Sequence, residues 1–358
     1  LSWQPNAEGD IAGYRLYADG MPGLTLPQTV LSYRVPDLLG EKSVAFELSA
    51  IDQAGNESPR ASVSVKPTYA VMTQTERAAS PANELTESRY QAAWDIGEAG
   101  PIIPGLVQGH VPQGMSYYAD GEREWMLMAA YHFTGDPSTL AVVDAKTGTL
   151  VKYVHLKDAD GSIYVGHAGG VAVSRDHIWL SSGKRMYRLP IQALIDAPDG
   201  GFAQFADAFG VVTNASFTAY WDGVLWVGEY SNPPSYTTSP AHSLTNRNGE
   251  THLAWIAGYP LDDNDLLPAS TPSFTEENIK KFVPSYVLSI GDKIQGIGFH
   301  DGEVLLTYNY GRPLNAIVRH TMPDVTDSAT KQGDVSVGGA SVPMWMLDGV
   351  NRTGSIDI

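Results

Sequence analysis

The sequence predicts an all-β chain in two parts, a small β-sandwich followed by a larger ring of repeated antiparallel sheets. Three observations predict it. First, four stretches repeat one pattern, at residues 111–135, 165–183, 214–231 and 294–312. Each runs from a polar residue through a short apolar strand, a turn on Asp, Gly or Arg, and a second apolar strand that breaks into polar and aromatic residues. The equivalent positions Gln113, His167, Ser216 and Gln295 lie 54, 49 and 79 residues apart. That spacing fits β-propeller blades of roughly 40–50 residues with one long insertion. Second, 36 Gly and 23 Pro in 358 residues suit a turn-rich β protein better than a helical one. Third, residues 1–68 carry short runs of period-two alternation separated by turn signals, which is how a sandwich reads.

Composition excludes several functions. A hydrophobic content of 43% allows a packed core, and 358 residues suffice for about two domains. Cysteine is absent, so disulfides, thiolate metal sites and thiol nucleophiles are excluded. No apolar run approaches the roughly 18 residues of a membrane-spanning helix. The net charge of −17 argues against a nucleic-acid partner, whose phosphates need a basic footprint. With no leading Met and no signal peptide, Leu1 is read as a processing or cloning boundary.

In residues 1–68, Leu1 and Trp3 alternate as one strand. Asp10–Tyr17 follows with Tyr14 and Leu16 inward, then Ser32–Leu38, then Val44–Ile51 with Phe46, Leu48 and Ala50 inward. The segment LSWQPN…DIAGYRLY…SYRVPDL…VAFELSAIDQAGNESP resembles fibronectin type III modules over its whole length. Two departures stand out: the usual corner tyrosine is missing near Val44, and the first strand is absent because the chain opens at Leu1. The resemblance implies a non-catalytic spacer or binding accessory. An open sandwich edge invites pairing with another chain, so homo-oligomerisation through that edge is an expectation too.

Residues 69–104 connect the parts. Ala79–Trp94, with Pro81 early and good helix formers after it, predicts a short helix, and Gly97–Gly109 is extended. Residues 105–358 form the propeller. Its first blade reads Gly114–Tyr118, Trp125–Tyr131, Thr139–Val143 and Leu150–Leu156. The second reads Gly170–Ser174, Ile178–Ser182, Arg185–Ile191 and Ala203–Val211. The third begins Phe217–Trp221 and Leu225–Tyr230, is interrupted by the polar stretch Ser231–Glu250, and resumes at His252–Tyr259. The fourth begins Gly296–His300 and Val304–Tyr310. A fifth blade is expected from the two ends, with Val342–Asp348 closing the ring; six or seven blades stay open. The elements Val111–Gly114, His167–Ala172, Leu225–Glu229, Gln295–Gly296 and Tyr310–Arg312 are similar to those of a family of secreted bacterial β-propellers. That resemblance implies fold, a secreted extracellular location and the place of the site, without a chemistry.

In a propeller, residues just before each innermost strand and residues ending each second strand crowd one channel mouth. This places Gln113, His167, Ser216 and Gln295 with Tyr131, His132, Glu229, Tyr230, Tyr308, Tyr310 and Arg312. His167, His132 and Tyr310 are the expected proton carriers, since imidazole titrates near neutrality and a phenol can share a proton. Arg312, Tyr308, Glu229, Tyr230, Gln113 and Gln295 are the expected ligand-binding set. Arg suits a bidentate grip on a carboxylate, and the phenols suit sugar faces. Each histidine is equally readable as a satisfied core residue, Glu229 as the partner of Arg312, and the tyrosines as blade packing. Asp158–Gly161 and Asp262–Asp265 offer hard oxygen ligands for calcium, though neither has full ligand spacing and both read as solvated turns. G-x-S-x-G, Walker and H-E-x-x-H signatures are all missing. The expectation is therefore a secreted protein whose channel mouth binds an extracellular acidic polymer or glycan and can cleave it by elimination. The alternative is a non-enzymatic assembly or adhesion protein.

Overall fold

The computed structural model describes residues 1–19, 21–74, 91, 95, 100–309 and 315–357. The expected helix at Ala79–Trp94 falls almost wholly outside them, as do Tyr310 and Arg312. The described chain is nearly all β, with six sheets, one short helix and a few 3-10 turns. It divides into two compact units: Leu1–Ala70 with Phe133–Asp136, and Val71–His132 with Pro137–Ile358.

The smaller unit holds β1 (Ile11–Ala18), β2 (Met21–Pro27), β3 (Val44–Asp52) and β4 (Ala61–Val65), antiparallel in the order β2-β1-β3-β4. Alternation puts Tyr14 and Leu16 of β1 and Phe46 and Ala50 of β3 on one buried face. Over that face lies a second layer. Trp3 N–H donates to the Leu31 carbonyl at 3.0 Å, and Tyr33 N–H to Leu1 at 2.9 Å. The expected strand Ser32–Leu38 shrinks to a single bridge at Ser32. Pro36 has no N–H for a ladder, and Asp37 takes a positive φ of 57°. Asp136 ties this unit's chain, accepting from the N–H groups of Gly40 at 2.7 Å and Ala70 at 2.9 Å.

The larger unit begins with β5 (His110–Ala119), β6 (Glu124–His132), β7 (Thr139–Asp144) and β8 (Leu150–Lys157). There follow β9 (Gly170–Val173), β10 (His177–Ser182), β11 (Arg185–Pro190), the helix α1 (Ile191–Asp196), β12 (Gly201–Gln204) and β13 (Asp207–Gly210). Next come β14 (Phe217–Trp221), β15 (Val224–Gly228), the small ribbon β16 (Leu244–Thr245) and β17 (Thr251–His252), and β18 (Ala254–Pro260). After them run β19 (Ser273–Glu276), β20 (Ile279–Phe282) and β21 (Tyr286–Ile290). The chain continues through β22 (Ile294–His300), β23 (Glu303–Asn309), β24 (Asn315–Thr321), β25 (Gly333–Val337), β26 (Ala340–Met346) and β27 (Arg352–Asp357).

These strands make four main sheets: β5-β6-β7-β8-β12, β9-β10-β11-β13-β20-β19, β14-β15-β18-β21-β26-β25 and β22-β23-β24-β27. Each starts as an antiparallel meander. Asp222–Gly223 and Asp301–Gly302 turn the first hairpins of the third and fourth sheets, with positive φ at both residues, as tight two-residue loops require. The innermost strands β5, β9 and β14 touch backbone to backbone. A Cβ on Gly114 would sit 2.7 Å from Gly170 Cα, and one on Gly170 would sit 2.6 Å from Thr218 N. The arrangement is propeller-like.

Several expectations are corrected. The two ends do not build a fifth sheet among the described residues. β26, which takes in most of Val342–Asp348, instead runs parallel to β21, and β27 pairs with β24. The stretch Ala203–Val211 is not one strand. Its first part, β12, runs parallel to β8 in the first sheet, while β13 stays with β11 in the second. Between them Phe205 is buried against Tyr164 and Tyr187, which turns the chain from one sheet to the next. α1 stops where Lys152 Nζ takes up the terminal carbonyls of Leu194, Ile195 and Ala197 at 2.6–2.8 Å.

Candidate functional site

The residues expected at the mouth do not all meet. Tyr131 and His132 are neighbours on β6, so the pleat sends them to opposite faces. The Tyr131 ring lies 4.5 Å from the His167 ring. His132 is buried on the other side, its Nε2 2.7 Å from the Gln108 carbonyl and its ring 5.0 Å from His110. His132 is thus a packing residue, and the pairing of two imidazoles at one mouth is not formed. Gln113 and Gln295 are each the extra residue of a β-bulge, in β5 and β22. This explains why both repeats read Gln-Gly, because a bulge needs an unpaired residue and bends the strand. Gln113 turns its amide onto the Pro112 carbonyl at 3.0 Å, and Gln295 is exposed. Tyr308 is half-buried against the core under β22 and β23. His167 is exposed, its N–H donating to Ser182 Oγ at 3.1 Å, and Tyr230 N–H does the same to Ser216 Oγ at 3.0 Å.

Glu229 is different. It follows β15 directly and is 1% exposed. Its Oε1 accepts from Trp255 N–H at 3.1 Å and from His242 Nδ1 at 2.5 Å, and its Oε2 accepts from Asn214 N–H at 3.1 Å. Both carboxylate oxygens accept from these groups, and the expected pairing with Arg312 falls outside the described residues. His242 closes a 3-10 turn, Pro240–His242, in which Ala241 N–H donates to the Ser239 hydroxyl at 3.4 Å. Its ring stacks on Trp255 with centroids 3.8 Å apart and planes 16° off parallel. A carboxylate only accepts, so Nδ1 carries a proton, and in the neutral ring the lone pair lies on Nε2. That Nε2 makes no hydrogen bond among the described residues.

His242 and Glu229 form part of the wall of a cavity of about 400 Å³. Asn214, Thr237, Thr238, Ser239 and Ser336 line it, with Lys184, Glu276, Glu277 and Lys281. Lys184 sits in the β10–β11 turn, held by backbone bonds to Asn214 and Val211. Lys281 on β20 is buried, its ammonium 2.5 Å from Glu276 and 3.8 Å from Glu277, and Lys184 pairs with Glu277 as well. The hydrogen bond from Lys184, and then its charge, hold the Glu277 carboxyl below the usual range. The arrangement offers an oriented base, hydroxyl and amide groups, and two ammoniums in one cleft. Sequence reasoning found Glu229 and missed His242, which lies in the polar insertion where no periodicity marks a residue.

The two loops considered for calcium are used otherwise. Asp265 is buried and accepts from Ser174 Oγ at 2.5 Å, Asp176 N–H at 2.9 Å and His177 Nδ1 at 3.0 Å. Burial pushes its pKa up, but these hydrogen bonds together win and hold it below the ordinary value. Asp160 turns onto Ser162 at 2.6 Å. No group of three or more His, Asp or Glu side chains is placed to hold a metal among the described residues. No described helix is long and apolar enough to cross a membrane.

No family model matches the chain, and no curated protein matches it. Among solved structures it is similar to the hydrazine synthase of Kuenenia stuttgartiensis, at 11% identity over 59% of this chain and 46% of that one, TM-score 0.31. The chain thus spans less than half the length of that protein. A glutaminyl cyclase of Myxococcus xanthus aligns at 9% identity over 68% of this chain and 72% of that one, TM-score 0.31. A quinoprotein alcohol dehydrogenase-like protein of Bacteroides thetaiotaomicron aligns at 11% over 96% and 89%, TM-score 0.29. At such distances the neighbours' chemistry does not transfer to this chain.

Proposed function

We propose that the larger unit binds an extracellular acidic glycan in the Glu229–His242 cleft and cleaves it by elimination. One observation carries the reading: a buried carboxylate orients an imidazole that lines a polar cleft and whose second nitrogen makes no hydrogen bond among the described residues. That is the base-and-orienter geometry of general base catalysis. His242 Nε2 would take the proton from the carbon next to a uronate carboxylate. The freed electron pair forms the new C=C bond, the glycosidic C–O bond breaks, and the departing oxygen takes a proton from water. Glycoside hydrolysis is less well served, since it needs two carboxyl groups flanking the bond. Here Glu229 has both oxygens engaged. The base thus moves from the expected trio of His167, His132 and Tyr310 to His242. His167, with the Tyr131 ring against it, remains an exposed surface suited to a sugar face.

The net charge of −17 repels an acidic polymer at long range. Screening removes most of that beyond about 8 Å at physiological ionic strength, so binding falls to the local ammoniums. The reading carries with it a secreted bacterial protein. Its smaller unit is a fibronectin type III-like spacer, supported by the β2-β1-β3-β4 order under a second layer. Its larger unit is a propeller of four blades, supported by the four main sheets.

A second reading, assembly through the sandwich edge, is favoured by an apolar groove of about 190 Å³ lined by Leu1, Trp3, Leu16, Phe46, Leu48 and Val63. An extended strand from another copy fits there.

The test is incubation with acidic and neutral polysaccharides, reading both retention and the ultraviolet absorbance of unsaturated uronate ends. His242→Ala and Glu229→Gln are each expected to lower turnover about 100-fold or more. Cleavage undiminished in His242→Ala sinks the mechanism. Retention without cleavage leaves a binding protein, and large particles without either favour assembly.

A further inference from the structure

The cleft contains a charge arrangement that the base alone does not require. Lys281 is 2% exposed, and a lysine so deep is held by an anion. Its partners are not buried with it: the side chains of Glu276 and Glu277 are 59% and 56% exposed. Both lie at the β19–β20 hairpin, with Glu277 and Asn278 in its two-residue turn at positive φ. The second ammonium, Lys184, reaches the same Glu277 from the β10–β11 turn. Lys281 is therefore fixed in the wall and Lys184 is held beside it by its backbone, and the anions stand on exposed, rotatable stems that can be rehydrated when they leave.

We propose that Lys281 and Lys184 form the carboxylate subsite of the cleft, and that Glu276 and Glu277 are placeholders which an incoming uronate displaces. The inference rests on the glycan reading above. Exchange of one carboxylate for another keeps the buried ammonium paired throughout, so the ligand need not bury an unmatched charge. The exchange also sets specificity. A neutral sugar has no group to replace a glutamate and leaves both ion pairs intact. The placeholders lower apparent affinity by the fraction of time they occupy the subsite. Removing their charge should therefore strengthen binding, the reverse of what loss of an ordinary contact does.

The experiment measures binding of galacturonate oligomers and of neutral galactose oligomers to the full chain by calorimetry. The double variant Glu276→Gln with Glu277→Gln is expected to bind the acidic probe about 5- to 10-fold more tightly, with the neutral probe unchanged. A control of equal charge change, Glu122→Gln with Asp301→Asn, alters two exposed carboxylates elsewhere and should leave both affinities alone. Lys281→Gln should abolish acidic binding. Because that variant can also unsettle the fold, Lys184→Gln, on a surface turn, is measured beside it and should weaken the acidic probe severalfold. If the glutamine pair weakens acidic binding, leaves it unchanged, or gains no more than the control, the placeholder idea is overturned. If acidic oligomers bind the wild type under that outcome, the cleft reading survives it. If neither probe binds any variant, both fall.

Discussion

Two histidines of the larger unit each place Nδ1 on a buried carboxylate, His177 on Asp265 and His242 on Glu229. Each carboxylate accepts three bonds, Asp265 from a backbone N–H, a serine hydroxyl and an imidazole, and Glu229 from two backbone N–H groups and an imidazole. The difference lies on the far side of the ring. His177 Nε2 is 2.8 Å from Arg188 Nη1, and Arg188 is in turn gripped by Asp207 at 3.0 Å. His242 lines a cavity, and its Nε2 has no hydrogen-bond partner among the described residues. The first network is closed at both ends and holds β9, β10 and β11 to the loop before β19. The second is closed at one end only. A carboxylate–imidazole pair is therefore not itself a mark of chemistry, and what its outer nitrogen meets decides the reading.

The comparison can be broken by substitution. Asp265→Ala strands His177 Nδ1 and Asp176 N–H at once and takes a partner from Ser174 Oγ. It is expected to cost about 3–5 kcal/mol, read as a lowered midpoint in urea unfolding. A cost under about 1 kcal/mol would mean that the closed network is not structural. Glu229→Gln keeps one acceptor and turns an amide N–H₂ toward a backbone donor, for about 1–3 kcal/mol. Its loss of turnover should exceed anything the stability change explains at a temperature where the fold is intact. His242→Gln lies on the open side and should move stability least, by under about 1 kcal/mol, while abolishing turnover.

Acidification sharpens the contrast further. Burial depresses the pKa of His252 and His320 below the ordinary histidine value. Between the depressed folded values and about 6.5 the unfolded chain binds more protons. Stability therefore rises with pH across that window, and thermal midpoints should fall as pH drops from about 7 toward 5. His252→Gln and His320→Gln should each flatten the slope, and an unchanged slope in both would show that other groups set it. Asp265 acts in a lower range. Its folded pKa is depressed, so its contribution is present above its unfolded value near 3.9 and fades as pH falls through the folded one.

Much of this fold was legible in the chain. Alternation found β1, β3 and the first two strands of every repeat, and Asp-Gly pairs marked the turns of three of them. The parallel additions were not legible, because β12 and β26 join sheets through partners far away in sequence and carry no local sign of which sheet they enter. The site was half legible. Glu229 stood at a strand end in a repeat, whereas His242 came from an insertion whose conformation depends on Trp255 stacking beneath it. The Tyr131–His132 parity was readable in principle, since one of two neighbours on a strand must point away.

The parallel additions also bear on the order in which the chain can finish its parts. The first sheet is not complete at Lys157, because its outermost strand, β12, lies beyond the whole of β9–β11. The second waits for β19 and β20, which follow the first three strands of the third, and the third waits for β25 and β26. Each sheet is left with a bare flank until a later one has begun. A chain emerging from the ribosome cannot bank its blades one at a time, and a nick between Ala203 and Asp207 would unclasp two of them together.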